Sequence, residues 1–281
     1  MKIGLFYNNT NYNWGPGKLA KNTIQGLKNK NVEIITNDYG DYNLSICSEQ
    51  FKNKFISHNV PNTLVGPCSM NTPRDFPSSF NEYSKFLVAS EWYKKNWITY
   101  GIDENKIDVW FGGIDTDLFH PEKKIKTDCI IFLKNNDSNI FEAVKNVLNK
   151  LKLTYVFLHY GNYNEGEFID LINSCKLGII IHNTETQGFA IMEAMSMDLP
   201  LLVLDKNTWV GDKVFQEATS TPYFNNECGL KIKEKEITEI SIEENLKLML
   251  DNINTYKPRK FILENYTISD SINLLFKYYK I

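Results

Sequence analysis

Two glutamates with seven residues between them, Glu185 and Glu193, carry the most direct chemical information in this 281-residue sequence. Gly188 lies between them, and the stretch from Glu185 to Val203 runs from a loop into a helix and then into an apolar strand. Such a segment offers carboxylates to sugar hydroxyls and free N–H groups to a phosphate. The pattern therefore predicts a site that holds a sugar, a diphosphate and a ribose together.

The start of this predicted helix is expected to supply most of the phosphate contacts. Free N–H groups and the helix dipole favour an anion there by about 0.3 to 2 kcal/mol, so no metal ion is required. Because a glycine permits close backbone approach, the amides of Gly188, Phe189 and Ala190 are the predicted contacts to the sugar and phosphates, and Gln187 is also predicted to bind the donor. The ordinary alternative is two solvated glutamates on a helix face, because the Glu-x7-Glu spacing alone is common.

The composition indicates a soluble globular protein with one large or two modest domains. A net charge of -3 and a pI near 5.9 give no bulk attraction to nucleic acid or anionic membranes, so no nucleic-acid partner is expected. Only two of the 31 basic residues are arginines, Arg74 and Arg259. Lysines and backbone amides must therefore bind most anions.

The cysteines and the N-terminus predict a cytoplasmic location. The five cysteines are odd in number, widely spaced and free of any Cys-x-x-Cys pair, which argues against a disulfide framework or a zinc site. The apolar run at the N-terminus is too short for a signal peptide, and no transmembrane segment is expected. The Asp115 and Asp117 pair has no metal-holding context, so no metal site is predicted.

Short apolar segments alternate with stretches of helical period along the first part of the chain. Helices are predicted from Lys18 to Lys30 and from Glu91 to Tyr100. The alternation is typical of a parallel sheet covered by helices. The predicted strands are Ile3–Tyr7, Val32–Thr36, Tyr42–Cys47, Thr63–Val65, Phe86–Ala89 and Ile107–Trp110.

The alternation restarts after residues 114–126, where Pro121 and a charge run predict a linker. We therefore predict an α/β fold with two facing Rossmann-like domains, 1–113 and 127–262. A C-terminal helix within 263–281 is expected to cross back to the first domain. The predicted elements of the second part are strands Cys129–Leu133, Tyr155–Leu158, Leu177–Ile181 and Leu201–Leu204, and helices Ile140–Leu151, Glu165–Ser174 and Gly188–Met197.

Several segments resemble the retaining glycosyltransferases of family 4, which have the two-domain GT-B architecture. Residues 185–200 are similar to the family's paired-glutamate motif, with Glu-Ala-Met followed by a turn and a proline. Phe86–Trp110 resembles the strand, Ser-Glu-Trp helix and Gly-Ile-Asp turn that end the family's first domain, and Gly112–Glu122 resembles its interdomain connection. Ala218–Gly229 looks like the compact branch of the family found in large DNA viruses and some bacteria.

The resemblance implies a retaining, metal-independent transfer of a sugar from a nucleotide diphosphate sugar to a hydroxyl acceptor such as a glycan, without a cofactor. It implies that Glu185 contacts hydroxyls of the donor sugar and that Glu193 accepts hydrogen bonds from both ribose hydroxyls. Lys134 stands where the family has an arginine that neutralises the diphosphate. Glu185 and Lys134 are therefore the predicted catalytic residues, with a surface lysine as the alternative for Lys134.

For several of the remaining candidate site residues, a purely structural or surface role is the alternative. Gly15 and Gly17 stand where the family has a glycine-rich loop that faces the donor, or they form a plain βα turn. Tyr160 is placed to stack on a nucleobase. Arg74 is either an acceptor contact or a surface residue. For His182, which precedes the paired-glutamate loop, a structural role is favoured over a catalytic one.

Two other functions fit the same residues. A transferase that glucosylates modified bases of viral DNA would need a basic groove lined by aromatic side chains. An inactive GT-B scaffold used for binding or assembly is the non-enzymatic alternative, because the first predicted domain is short.

Overall fold

The computed structural model describes residues 1–7, 15–46, 60–67, 85–134, 138–211 and 213–281. The chain divides into two compact units, with Met1–Gly113 and Tyr266–Ile281 in the first and Ile114–Asn265 in the second. Within these residues, no helix is both long enough and apolar enough to span a membrane.

The first unit is a parallel sheet with flanking helices. Its strands are β1 (Lys2–Phe6), β2 (Glu33–Thr36), β3 (Tyr42–Ser45), β4 (Thr63–Val65), β5 (Lys85–Val88) and β6 (Ile107–Val109), and its first helices are α1 (Gly15–Asn29) and α2 (Glu91–Ile98). The strand order is β2-β1-β3-β4-β5-β6, and every neighbouring pair is parallel.

The second unit is built on a five-stranded parallel sheet. Its strands are β7 (Thr127–Leu133), β8 (Tyr155–His159), β9 (Cys175–Ile181), β10 (Leu201–Asp205) and β13 (Gly229–Lys233), in the order β13-β10-β9-β7-β8. A short antiparallel hairpin joins β11 (Trp209–Val210) to β12 (Val214–Phe215). The helices are α3 (Ser138–Lys150), α4 (Glu165–Ser174), α5 (Phe189–Ser196), α6 (Glu239–Asp251) and α7 (Pro258–Asn265).

The last helix, α8 (Ile268–Tyr279), returns to the first unit and packs against α1. Gly26 of α1 makes this close packing possible, because an added Cβ would lie only 2.5 Å from Cγ1 of Ile272. The Trp110 indole donates to the Ser271 carbonyl at 3.0 Å, and the Ser271 hydroxyl donates to the Phe111 carbonyl at 2.7 Å. The predicted α/β fold with parallel sheets and a returning C-terminal helix is confirmed.

Both sheets have the same doubly wound order, and this order determines where a ligand can bind. In the second unit the chain passes from β7 to β8 on one side and then returns to β9 on the other. A topological switch point therefore lies between β7 and β9. Ligands of such sheets bind outside the carboxyl ends of the strands at this point, because the loops diverge there and leave a crevice.

Candidate functional site

The switch point of the second unit brings two predicted site segments together. Leu133, at the end of β7, is in register with Ile181, at the end of β9, so the residues that follow them emerge side by side. The Lys134 amide donates to the Ile181 carbonyl at 3.4 Å and continues this pairing. The loop after β9 leads through Glu185 to α5, so the sheet itself positions the lysine beside the predicted sugar-binding segment.

Lys134 and Glu185 form a close ion pair at this edge. Lys134 Nζ donates to Glu185 Oε1 at 2.6 Å, and the same ammonium group lies 4.5 Å from the centre of the Tyr160 ring. Tyr160 is 44% exposed, so the lysine makes a cation–π contact with an aromatic ring that a ligand can reach. The structure therefore brings three of the predicted site residues into direct contact.

The environment of Glu185 favours its ionised form. Burial acts to raise the pKa of the carboxyl group, but the neighbouring His182 side chain and the charge of Lys134 act in the opposite direction. The net effect lowers the pKa of Glu185 below its usual value of 4.5. The carboxylate is therefore ionised at neutral pH and can accept hydrogen bonds from hydroxyl groups.

Gly188 begins the helix that carries the second glutamate. Its φ of +83° is left-handed, and it occupies the N-cap position of α5. Its carbonyl accepts bonds from the Ile191 and Met192 amides, which leaves the N–H groups of Phe189 and Ala190 ahead of the first helical bonds. The predicted helix N-terminus is therefore present, one residue later than the sequence boundary placed it.

Replacing Gly188 by alanine is expected to destabilise the protein through the backbone rather than by a clash. An added Cβ would make ordinary contacts, 3.5 Å to Ile191 Cδ1 and 3.7 Å to Glu185 Cβ, so the cost arises from the left-handed φ. We expect a loss of about 1 to 2 kcal/mol in the free energy of unfolding, measured with urea. Gly101→Ala is the matched control, because Gly101 has a φ of +89° and no neighbouring atom within 4 Å of the added Cβ. Only Gly188→Ala is expected to weaken the predicted nucleotide binding as well, and equal nucleotide affinity in both variants would contradict the role that the sequence predicts for this turn.

Glu193 lies on the inner side of α5 and is only 2% exposed. Tyr163 lies near this carboxylate. Burial is the main cause that raises the pKa of the Tyr163 hydroxyl, and the charge of Glu193 is the next, followed by Tyr160 and Glu185. Tyr163 also stacks on Phe168 with ring centres 5.5 Å apart. Tyr163 was not among the predicted site residues, although its position four residues after β8 is a signal for such a role.

A second missed segment fixes the loop that carries Glu185. The Glu185 amide donates to the Thr219 carbonyl at 2.9 Å, and the Ser220 hydroxyl donates to the His182 carbonyl at 3.2 Å. Asp205, at the end of β10, accepts bonds of 2.7 Å from the Thr219 hydroxyl and from the Ser220 amide. The loop is thus tied to the neighbouring strand before any ligand binds.

The other predicted site residues lie elsewhere. Gln187 is 6% exposed and its amide lies 3.8 Å from the Met192 sulfur, so it packs against α5. Gly15 and Gly17 belong to the first unit and lie inside the first turn of α1, whereas the sequence placed them in a turn before that helix. Pro16 suits this turn because its missing N–H is not needed there. Arg74 lies outside the described residues.

Arg259, in α7, connects the C-terminal end of α5 to the predicted linker. Its Nη1 atom donates to the Ser196 carbonyl at 2.6 Å and to the Phe119 carbonyl at 3.1 Å, and its Nη2 atom donates to the Thr116 carbonyl at 3.3 Å. A cation at the C-terminal end of a helix also stabilises the helix by its favourable interaction with the helix dipole. One guanidinium group therefore holds both α5 and the segment that precedes β7.

Replacing Arg259 by methionine is expected to lower the free energy of unfolding by about 1.5 to 3 kcal/mol, because carbonyl groups lose a charged donor. Urea unfolding measures this loss. Lys260→Met is the control, since the neighbouring Lys260 side chain is 54% exposed and its ion pairs are 3.5 and 3.8 Å long. Equal stability of the two variants would show that the Arg259 contacts do not contribute.

A groove of about 500 Å³ lies along the outer side of β8 and the facing side of α4. Its lining includes Phe157, His159 and Tyr163, so it reaches the edge of the site through Tyr163. Lys134, Glu185 and Glu193 do not line it. The groove is therefore adjacent to the ion pair and separate from it.

The chain matches no protein-family model and no curated protein sequence. Solved structures do resemble it. HepE of Anabaena, crystallised with UDP and glucose, has a TM-score of 0.63 at 11% identity over 99% of this chain and 98% of its own. The lipopolysaccharide outer core galactosyltransferase WaaB has a TM-score of 0.61 at 10% identity over 100% of this chain and 99% of its own. TarM has a TM-score of 0.59 at 14% identity over 94% of this chain, which spans 58% of TarM. Identities this low show the fold alone, and the chain has the GT-B fold.

Proposed function

We propose that this protein is a retaining glycosyltransferase that moves a sugar from a nucleotide diphosphate sugar to a hydroxyl acceptor on a glycan. The observation that carries the proposal is the Lys134–Glu185 ion pair, 2.6 Å long, beside the start of α5 at the switch point of the second unit. Two proteins of similar structure support it, since HepE was crystallised with UDP and glucose and WaaB is a galactosyltransferase.

The donor diphosphate binds at the start of α5 in this proposal. The amides of Phe189 and Ala190 donate to phosphate oxygens, and the helix dipole adds to their effect. Lys134 neutralises the remaining charge. Its ammonium group has three N–H donors and can bond to a phosphate oxygen while it also bonds to Glu185. These groups supply the positive charge that a metal ion would otherwise provide, so we propose a metal-independent reaction.

The two glutamates divide the rest of the donor between them. Glu193, on the second turn of α5, accepts hydrogen bonds from the ribose hydroxyls. Glu185 accepts hydrogen bonds from the hydroxyls of the sugar that is transferred. Tyr160 stacks on the nucleobase, because its ring is accessible and lies beside Lys134.

The chemical step requires charge stabilisation more than a protein nucleophile. The bond between the anomeric carbon and the phosphate oxygen breaks while the acceptor oxygen bonds to the same face of the sugar. The acceptor proton passes to the departing phosphate, and Lys134 stabilises the negative charge that develops there. Transfer on one face retains the anomeric configuration.

We also propose a cytoplasmic location. The free cysteines in the described part of the chain, Cys129, Cys175 and Cys228, are all buried. Burial is the main cause that raises the pKa of each thiol, to about 12 for Cys129 and about 11 for Cys228. Free thiols of this kind are typical of a reducing compartment.

The test is a donor-consumption assay with UDP, GDP and ADP sugars in the presence of EDTA. We expect one donor class to be hydrolysed or transferred, with the anomeric configuration of the product retained when it is followed by NMR. An inverted product would contradict the retaining mechanism, and loss of all turnover in EDTA would contradict metal independence. A protein that consumes no donor at all would instead be an inactive scaffold.

A further inference from the structure

His182 is a buried histidine with an unsatisfied ring nitrogen, Nδ1. It follows β9, and its side chain is 5% exposed. Buried ring nitrogens are normally hydrogen-bonded. Among the described residues, its Nδ1 atom has no aligned hydrogen-bond partner, and it lies 3.3 Å from Glu185 Oε1. The ring therefore points a polar atom at the carboxylate from inside the protein.

The position of this ring is fixed by its surroundings. The ring lies edge-to-face with Phe132 of β7, with ring centres 6.5 Å apart and an angle of 70° between the planes. The carbonyl group of His182 accepts the hydroxyl of Ser220 at 3.2 Å. With a side chain that is 5% exposed and a backbone carbonyl that is bonded, the imidazole is held inside the protein next to Glu185.

Two cationic or donor groups converge on one oxygen of Glu185. Lys134 Nζ reaches Oε1 from the more exposed side at 2.6 Å, and His182 Nδ1 reaches the same atom from the buried side at 3.3 Å. The lysine side chain is 30% exposed and its flexible stem can follow a ligand, whereas the imidazole is 5% exposed and packs against Phe132. When a donor binds, the lysine can therefore move toward it, whereas the imidazole stays beside Glu185.

We propose that His182 is a positioning residue: when the donor binds, its Nδ1–H group aligns with Glu185 Oε1, 3.3 Å away, and holds the carboxylate in place for the donor sugar while Lys134 engages the diphosphate. This inference rests on the proposed function. It requires the tautomer or protonated form with a hydrogen on Nδ1. The lowered pKa of Glu185, in which burial is opposed by the contact with His182, is consistent with this arrangement.

The effect of replacing His182 on turnover depends on whether the ring only fills space or donates a hydrogen bond to Glu185. Asparagine can place its side-chain amide near the position of Nδ1, whereas glutamine extends toward the position of Nε2. His182→Asn and His182→Gln therefore form a matched pair with similar polarity and different donor position. His182→Leu keeps much of the volume and removes the donor.

The experiment measures kcat and KM for the donor identified for the wild type, together with nucleoside diphosphate affinity and unfolding temperature for each variant. We expect His182→Gln and His182→Leu to lower kcat by about 10- to 100-fold with little change in nucleotide affinity, because an oriented bond to a charged group is lost. His182→Asn is expected to stay within about threefold of the wild type, by the same reasoning.

Each outcome separates this inference from the proposed function. An active wild type with equal kcat in all three variants would overturn the role of His182 and leave the transferase assignment intact. Equal loss in all three variants, His182→Asn included, would also overturn it, because packing rather than the donor would then be responsible. A wild type without turnover of any sugar nucleotide would contradict the proposed function itself, and the inference with it.

Discussion

Replacing Glu193 by glutamine is expected to weaken nucleoside diphosphate binding by about 10- to 100-fold. A hydrogen bond to a charged acceptor contributes about 1.5 to 3 kcal/mol, and Glu193 is proposed to accept two bonds from the ribose. Because the side chain is only 2% exposed, water cannot easily replace the hydrogen bonds that are lost with the charge. Calorimetric titration with the nucleoside diphosphate measures the effect, and the affinity for the isolated sugar should not change.

The control for this variant is Glu244→Gln. Glu244 is an exposed glutamate of α6, so its replacement makes the same change in charge without altering the site. Unfolding temperatures identify any general loss of stability. If Glu193→Gln bound the nucleotide as tightly as Glu244→Gln, Glu193 would not contact the ribose.

Replacing Lys134 by alanine is expected to lower donor turnover by about 100- to 1000-fold, the range found when a group that stabilises transition-state charge is removed. In the proposed reaction, the departing diphosphate would then lose the positive charge of Lys134. Lys134→Arg should retain part of the activity because it keeps the charge with a different geometry. Single-turnover kinetics with the donor measure the chemical step directly.

Two further variants show whether the loss of turnover in Lys134→Ala is specific to the site. Lys247→Ala removes a lysine of α6 whose side chain is 56% exposed, and it should leave turnover unchanged. Lys134→Ala with Glu185→Gln removes the ion pair from both sides, so a double-mutant cycle separates loss of the lysine from the cost of a buried carboxylate left alone. Full activity of Lys134→Ala would contradict the role of Lys134 in leaving-group stabilisation.

The sequence was sufficient where one periodicity dominates a segment. The strands β7, β9 and β10 are continuous apolar runs, which is typical of parallel strands buried on both faces, and their predicted bounds differ from the structure by two residues at most. Gly188 marked the start of α5 because a left-handed residue there favours glycine. These elements were enough to place Glu185, Glu193 and Lys134 at one edge of one sheet.

The missed elements have weaker local signals. Strand β13 has the sequence Gly-Leu-Lys-Ile-Lys, in which polar residues interrupt the apolar run, and it lies at the edge of the sheet. Helix α6 has a capping box between Thr238 and Ser241, but Ser241 stands where the sequence signature has Glu or Gln, so the pattern did not mark the helix. No motif marked the bonds from Thr219 and Ser220 to the Glu185 loop, because they depend on tertiary packing.

Nucleotide binding tests the central claim most directly. The measurement is the shift in unfolding temperature of the wild type and of Glu193→Gln, with UDP, GDP and ADP, in EDTA. A ligand that binds only the folded protein stabilises it by an amount that grows with its concentration over Kd. We predict that at least one nucleoside diphosphate stabilises the wild type without a metal ion and stabilises Glu193→Gln much less. The absence of a shift with all three, or equal shifts in both proteins, would contradict the assignment of this site to a sugar nucleotide.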